Sequence, residues 1–182
     1  MNKSFLFVAL FLFANLVNAV DLEKNVSNLL KYEKWFVVEL TTPTAMAYRI
    51  GAESNLPASN QTIFIDITPI NNCEAEKVTV NQFIGYKQMD FTGVPFIPVK
   101  YKISGQEIKD SVTHPEVSDG FLFTPIGSMK IQELLKANDK GNLSFWIQPP
   151  AEKPTPINKM FFPLKGFTKA FNKAVQLCKE NS

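Results

Sequence analysis

The residue types able to do chemistry are few and scattered. His114, the one histidine of the chain, precedes Pro115 in a polar stretch that also holds Asp110, Glu116 and Asp119. Imidazole is the usual general base, and a neighbouring carboxylate can orient it. A hydrolase built on His114 and a carboxylate is therefore one reading. No Gly-x-Ser-x-Gly elbow supplies it with a nucleophile, and a base is assigned on geometry before pKa. His114 is accordingly read as a loop histidine and the chain as a non-enzyme. Asp66, Glu74, Glu76 and Asp90 have no spacing that marks a glycosidase pair, which is recognised by separation in space. Asp66 lies inside an apolar strand pattern, where alternation puts it on the solvent face. No glycine-rich phosphate loop or calcium-loop pattern occurs. Two cysteines and a distant histidine make no tetrahedral ligand set at a familiar spacing, so neither a metal nor a cofactor is expected.

Aromatic residues are the second feature. Phe145-Trp146 and Phe161-Phe162 fall in strand patterns, where successive side chains face opposite sides. One residue of each pair therefore faces away from its neighbour. An exposed aromatic patch marks a binding surface, with Trp146, Phe161 and Tyr101 as the candidates. It would serve a protein partner or, with Trp146 or Tyr101 as the platform, a small ligand or glycan. The competing expectation is that helices cover that second face.

The elements that position these residues begin with a C-terminal helix over Gly166 to Glu180. Phe167, Ala170, Phe171, Ala174, Val175 and Cys178 follow helical spacing and make one apolar stripe. Cys178 lies on that stripe and points at the core. Paired with Cys73, it would staple the helix to a β-rich body, two free thiols being the alternative. Such a long loop gives a chain-entropy contribution of about 4–5 kcal/mol.

Strand patterns fill the body: Trp35–Leu40, Ala45–Ile50, Thr62–Ile67, Lys77–Asn81, Gln88–Phe91, Val99–Ile103, Glu107–Val112, Gly120–Phe123, Leu143–Ile147 and Met160–Leu164. Asp21 to Tyr32 reads as a short helix on the spacing of Val26, Leu29 and Leu30. Ser128 reads as the N-cap of a helix over Met129 to Ala137. His114-Pro115-Glu116 opens a loop, and a proline-rich surface loop holds Pro149, Pro150, Pro154 and Pro156. Short strands with frequent turn signals predict a mainly β fold, an antiparallel sandwich or barrel-like body with one inserted helix and a C-terminal capping helix.

Lys3 followed by the apolar run Phe5 to Leu16 and the small residues before Ala19 has the layout of a signal peptide cleaved after Ala19. The run is shorter than the roughly 20 residues of a membrane span. The expected organisation is a signal peptide over 1–19 and one exported domain over 20–182, periplasmic or secreted, with no transmembrane segment in the mature chain. Loss of Lys3 from 19 basic residues leaves 18 against 17 acidic ones, a net charge of +1. The lysines are scattered, which excludes a nucleic-acid footprint.

The segment from Lys130 to Cys178 resembles the invasion-associated locus B family of exported Gram-negative proteins. The likeness lies in Ile131-Gln132-Glu133-Leu134-Leu135-Lys136-Ala137 with Gly141, in Leu143-Ser144-Phe145-Trp146-Ile147, and in Phe162-Pro163-Leu164-Lys165-Gly166-Phe167. Trp35 leading into a strand is also similar. The family usually carries more cysteines, including one after its early tryptophan, where this chain has Val37 and Val38. The resemblance implies a periplasmic or secreted β-sandwich linked to host-cell interaction, with no known catalytic residues. Signal peptide, bridge, β-rich body and the lack of a catalytic constellation together suggest a virulence-associated binding protein of a Gram-negative bacterium with an envelope or host protein as partner.

Intact mass of the exported protein, alkylated before and after reduction, tests the first two expectations together. The result should be a chain beginning at Val20 that takes up alkylating agent only after reduction. An uncleaved chain with two reactive thiols would withdraw both the export route and the bridge.

Overall fold

Alternating apolar residues become strands along most of the chain. The computed structural model describes residues 26–41, 46–55, 60–84, 95–118, 120–147 and 159–182. The expected signal peptide, the expected strand over 88–91 and the proline-rich loop lie outside them. Among the described residues, eleven strands and two α-helices form. A seven-stranded sheet has the order β1 (Val26–Tyr32), β2 (Trp35–Thr41), β3 (Met46–Glu53), β4 (Gln61–Ile67), β5 (Ala75–Phe83), β9 (Phe121–Ile126), β8 (Glu116–Ser118). A four-stranded sheet has the order β11 (Met160–Pro163), β10 (Asn142–Ile147), β6 (Ile97–Ile103), β7 (Lys109–Thr113). All pairings are antiparallel. The two helices are α1 (Ile131–Lys136) and α2 (Phe167–Glu180). The fold is the expected mainly β one, a sandwich and not a closed barrel.

One core fills the space between the sheets. Ile50, Ile63, Ile65, Val78, Val80 and Leu122 point into it from the larger sheet, and Val99, Ile103, Phe145 and Phe162 from the smaller. Each large side chain so buried contributes about 1.5–3 kcal/mol. Helix α2 lies on the same inner face of the larger sheet, beside the smaller sheet, against β1 to β4. Its buried stripe is Phe167, Ala170, Ala174 and Cys178, as the spacing predicts. Cys178 is bonded to Cys73, with Cα atoms 5.8 Å apart. At the same end of α2, its C-cap Asn181 donates a hydrogen bond to the Tyr48 hydroxyl at 2.9 Å. Burial raises the Tyr48 pKa above its ordinary value, and the Asn181 hydrogen bond opposes the shift.

The two sheets and α2 meet at one corner. The Trp35 indole N–H donates to the Pro163 carbonyl oxygen at 2.7 Å, and its ring packs edge-on to Phe167 at 4.8 Å. Gly166, between them, has φ +93, and a Cβ there would stand 2.1 Å from the Tyr32 carbonyl oxygen. Only glycine allows both that backbone conformation and that approach. Asp139 accepts a hydrogen bond from the Thr168 amide at 2.8 Å, satisfying one of the free N–H groups of the helix start.

Three local expectations are corrected. The segment read as a helix before Tyr32 is strand β1. Its pairing slips by one residue between Ser27 and Leu30, where Asn28 adopts φ +53. This bulge sends Val26 and Leu29 to one face and Leu30 to the other, so a bulged strand produced the spacing of a helix. Glu116–Ser118, read as loop, pairs with β9 as the edge strand β8. Ser128 does not cap α1, whose N-cap is Lys130; the Ser128 hydroxyl donates instead to Ser111 Oγ at 2.8 Å.

Replacing both Cys73 and Cys178 by Ser should lower the unfolding free energy by about 4–5 kcal/mol, the loop-entropy contribution of so long a loop. Denaturant titration measures it. A loss below about 1 kcal/mol would mean that the bridge barely restricts the unfolded chain.

Candidate binding face on the four-stranded sheet

Alternation divides the smaller sheet into two chemistries. Ile97, Val99, Tyr101 and Ile103 of β6, Leu143, Phe145 and Ile147 of β10, and Met160 and Phe162 of β11 are buried against the core. The residues between them point the other way. On β6 these are Pro98, Lys100 and Lys102; on β10, Ser144 and Trp146; on β11, Phe161; on β7, Asp110 and Val112. Trp146 and Phe161, like Lys100 and Lys102, are half-buried, and Val112 is 65% exposed.

Strand register sets their neighbours. Lys100 stands opposite Trp146 on one side and Asp110 on the other. Ser144 stands between Lys102 and Phe161. Pro98 faces Val112. Lys159 enters next to β11 and lays its ammonium 4.3 Å from the centre of the Trp146 ring and 5.2 Å from that of Phe161. The negative ring faces hold that cation. Lys100 pairs with Asp110 at 3.0 Å. Lys102 and Lys159 have no carboxylate partner among the described residues. The edge of β11 is pinned, because Asn55 donates its backbone N–H to the Phe161 carbonyl oxygen at 2.9 Å.

Of the three aromatic candidates, the structure brings Trp146 and Phe161 together and takes Tyr101 away. Tyr101 is 2% exposed, and its hydroxyl donates to the Ser128 carbonyl oxygen at 3.4 Å. It is a core residue, unable to act as a platform, because β6 presents its odd-numbered side chains inward. The expectation that helices cover the outward face is corrected too, since α2 packs on the larger sheet and α1 touches α2. Sequence reasoning named the two aromatics and passed over the lysines around them. The signal was there for Lys100 and Lys102, which alternate with buried residues along β6.

The other candidates form no catalytic set among the described residues. His114 is exposed, and its Nδ1 lies 2.6 Å from the Pro95 carbonyl oxygen, with the Phe96 ring 6.1 Å away. Asp110 pairs with Lys100 instead, Glu116 is exposed on β8, and Asp119 lies outside the described residues. Asp66 is not a simple solvent-facing carboxylate. It accepts two hydrogen bonds of 2.6 Å from the nearly buried Arg49, whose guanidinium lies 4.1 Å from the centre of the Phe64 ring. Glu74 is exposed and Asp90 lies outside the described residues. Lys109 binds Glu133 at 2.7 Å, joining β7 to α1, and this hydrogen bond raises its pKa. Among the described residues, no group of three His, Cys, Asp or Glu side chains gathers to hold a metal.

The chain is similar in structure to the crystal structure of invasion associated protein B from Bartonella henselae. The TM-score is 0.58 at 15% sequence identity, over 85% of this chain and 99% of that one. At that identity the likeness establishes the fold. No family model matches the chain, and no curated protein matches it in sequence. The bridge fits an oxidising compartment, and no helix among the described residues is long and apolar enough to cross a membrane.

The two tryptophans differ in environment, Trp35 being 1% exposed and Trp146 half-buried on the outward face. Trp146→Phe should remove the acrylamide-quenchable, red-shifted part of the fluorescence and leave a blue-shifted, protected signal from Trp35. Unchanged quenching in that variant would contradict this placement of the two residues.

Proposed function

We propose that this chain is an exported, non-enzymatic binding protein of a Gram-negative bacterium, of the virulence-associated kind. In this reading residues 1–19 are removed as a signal peptide. The single domain over 20–182 then works in the periplasm or outside the cell and engages an envelope or host protein. The observation that carries it is the outward face of the four-stranded sheet, where Trp146 and Phe161 lie side by side under Lys159. Half-buried aromatics beside cations, on a sheet face that neither described helix covers, are what a protein interface uses for its anchoring contacts. Support also comes from the Cys73–Cys178 bridge and from the fold likeness to a protein whose name is invasion associated protein B. The hydrolase alternative loses ground because His114 meets a backbone carbonyl oxygen where a carboxylate would have to orient it. Platform binding of a glycan loses Tyr101 to the core.

The test is retention of proteins from an envelope fraction and from host-cell surfaces by the immobilised, folded domain. Wild type should hold a discrete partner that a Trp146→Ala/Phe161→Ala variant with an unchanged melting curve retains roughly tenfold less, as anchor truncation does. Equal retention by both, or none by wild type, would remove the proposal. His114→Ala should leave retention unaltered.

A further inference from the structure

The same face carries information about the chemistry of what it meets. Its charges are one-sided. Lys100, Lys102 and Lys159 surround the two aromatics, and the one carboxylate on this face among the described residues, Asp110, is taken by Lys100. That pair is well exposed, at 36% and 76% for the two side chains, so water screens it and a competing carboxylate displaces it at little cost. Lys102 and Lys159 have no carboxylate among the described residues to be displaced.

Spacing adds a second argument. Lys100 and Lys102 share one face of a straight strand, two residues apart, which is about 6.6–6.8 Å along the chain. Carboxylates at alternate positions of an extended polypeptide repeat at that same distance. Lys159 contributes a third. Its long side chain is held in place by two aromatic rings, so its ordering is complete before an anion arrives, and binding gains from that preorganisation.

Resting on the protein-binding reading above, we infer that the outward face of the four-stranded sheet receives an acidic, extended segment of the partner. Carboxylates two residues apart meet Lys100, Lys102 and Lys159, and the Trp146 and Phe161 rings pack against the backbone between them. The basic groups steer encounter and select the acidic register, and the aromatics supply the apolar contact.

Fluorescence anisotropy on the purified folded chain tests this with three probes. They are a labelled peptide alternating Glu and Thr, a peptide of identical composition with its Glu residues in one block, and polygalacturonate as an anionic polysaccharide. The alternating peptide should bind tightest, with affinity falling as salt rises. Lys102→Glu/Lys159→Glu should weaken it roughly tenfold or more, as charge reversal at an electrostatic contact does, while the Lys102→Arg/Lys159→Arg variant retains binding. Melting curves report whether each variant is folded. Equal binding of the two peptides, or indifference to charge reversal, would overturn the inference. So would polygalacturonate displacing the peptide from the same lysines, which would make the occupant an acidic glycan. A partner protein lost with Trp146→Ala/Phe161→Ala yet held by the Lys→Glu variant would leave the binding function standing and remove this inference alone.

Discussion

The Trp35 indole hydrogen bond to the Pro163 carbonyl oxygen ties the two sheets together at the start of α2. The two sheets share no strand, so their relative position has to be fixed by contacts across the core and by the chain segments that pass between them. At this corner a buried side chain of the larger sheet is bonded to the backbone of the smaller one at 2.7 Å, just before the chain turns into α2. An indole N–H left buried without its acceptor would cost about 1–3 kcal/mol, so the alternatives in which β11 slides along β2 are disfavoured. Gly166 then brings its backbone against Tyr32, and Phe167 closes over the indole ring. The tilt of the smaller sheet, and with it the outward presentation of Trp146 and Phe161, follows from that corner.

The sandwich was legible wherever burial on one face alone decides the side-chain pattern. The alternation of Val99 to Ile103 and of Leu143 to Ile147 reads directly as strands, and the apolar stripe of α2 reads as a helix with Cys178 inward. It failed where the backbone departs from regularity. Val26, Leu29 and Leu30 have helical spacing because a bulge adds a residue to β1. Edge strand β8 is too short and too polar for any periodicity, with Glu116 and Val117 both exposed. Of the candidate binding face, the pair rule for neighbouring strand residues flagged the pairs Phe145-Trp146 and Phe161-Phe162. It could not tell which of the aromatics turned outward, since that depends on which sheet face meets the core. The same ignorance let Tyr101 stand as a candidate. Lys159 was invisible for a different reason: its role comes from lying above two rings that are far apart in sequence from one another.

The outer faces of the two sheets contrast in a way that separates structure from recognition. On the larger sheet Phe36, Val38, Leu40 and Phe64 belong to a second buried apolar cluster, and the nearly buried Arg49 is held by Asp66 through paired short hydrogen bonds. The Phe36 ring lies over Gly51, where a Cβ would come within 2.3 Å of it, so even the glycine on that face is committed to packing. The smaller sheet spends its outward positions differently, on three lysines against the single carboxylate Asp110 among the described residues and on aromatics left half-accessible. The outer face of the larger sheet is committed mainly to packing, and that of the smaller sheet carries surplus positive charge.

The long span of the Cys73–Cys178 bridge also has a consequence in time. With 105 positions separating its two sulfurs in sequence, every strand from β5 to β11 is synthesised between them. A chain made from its amino end carries Cys73 as a solitary thiol until the whole intervening stretch has followed. During that interval the thiol is open to mixed disulfides with other emerging chains or with an oxidant. Ring closure therefore comes late and acts as a lock on a sandwich already assembled by its strands, because only a docked α2 delivers Cys178 to the entry of β5. Covalent completion of the domain thus waits for the docking of α2.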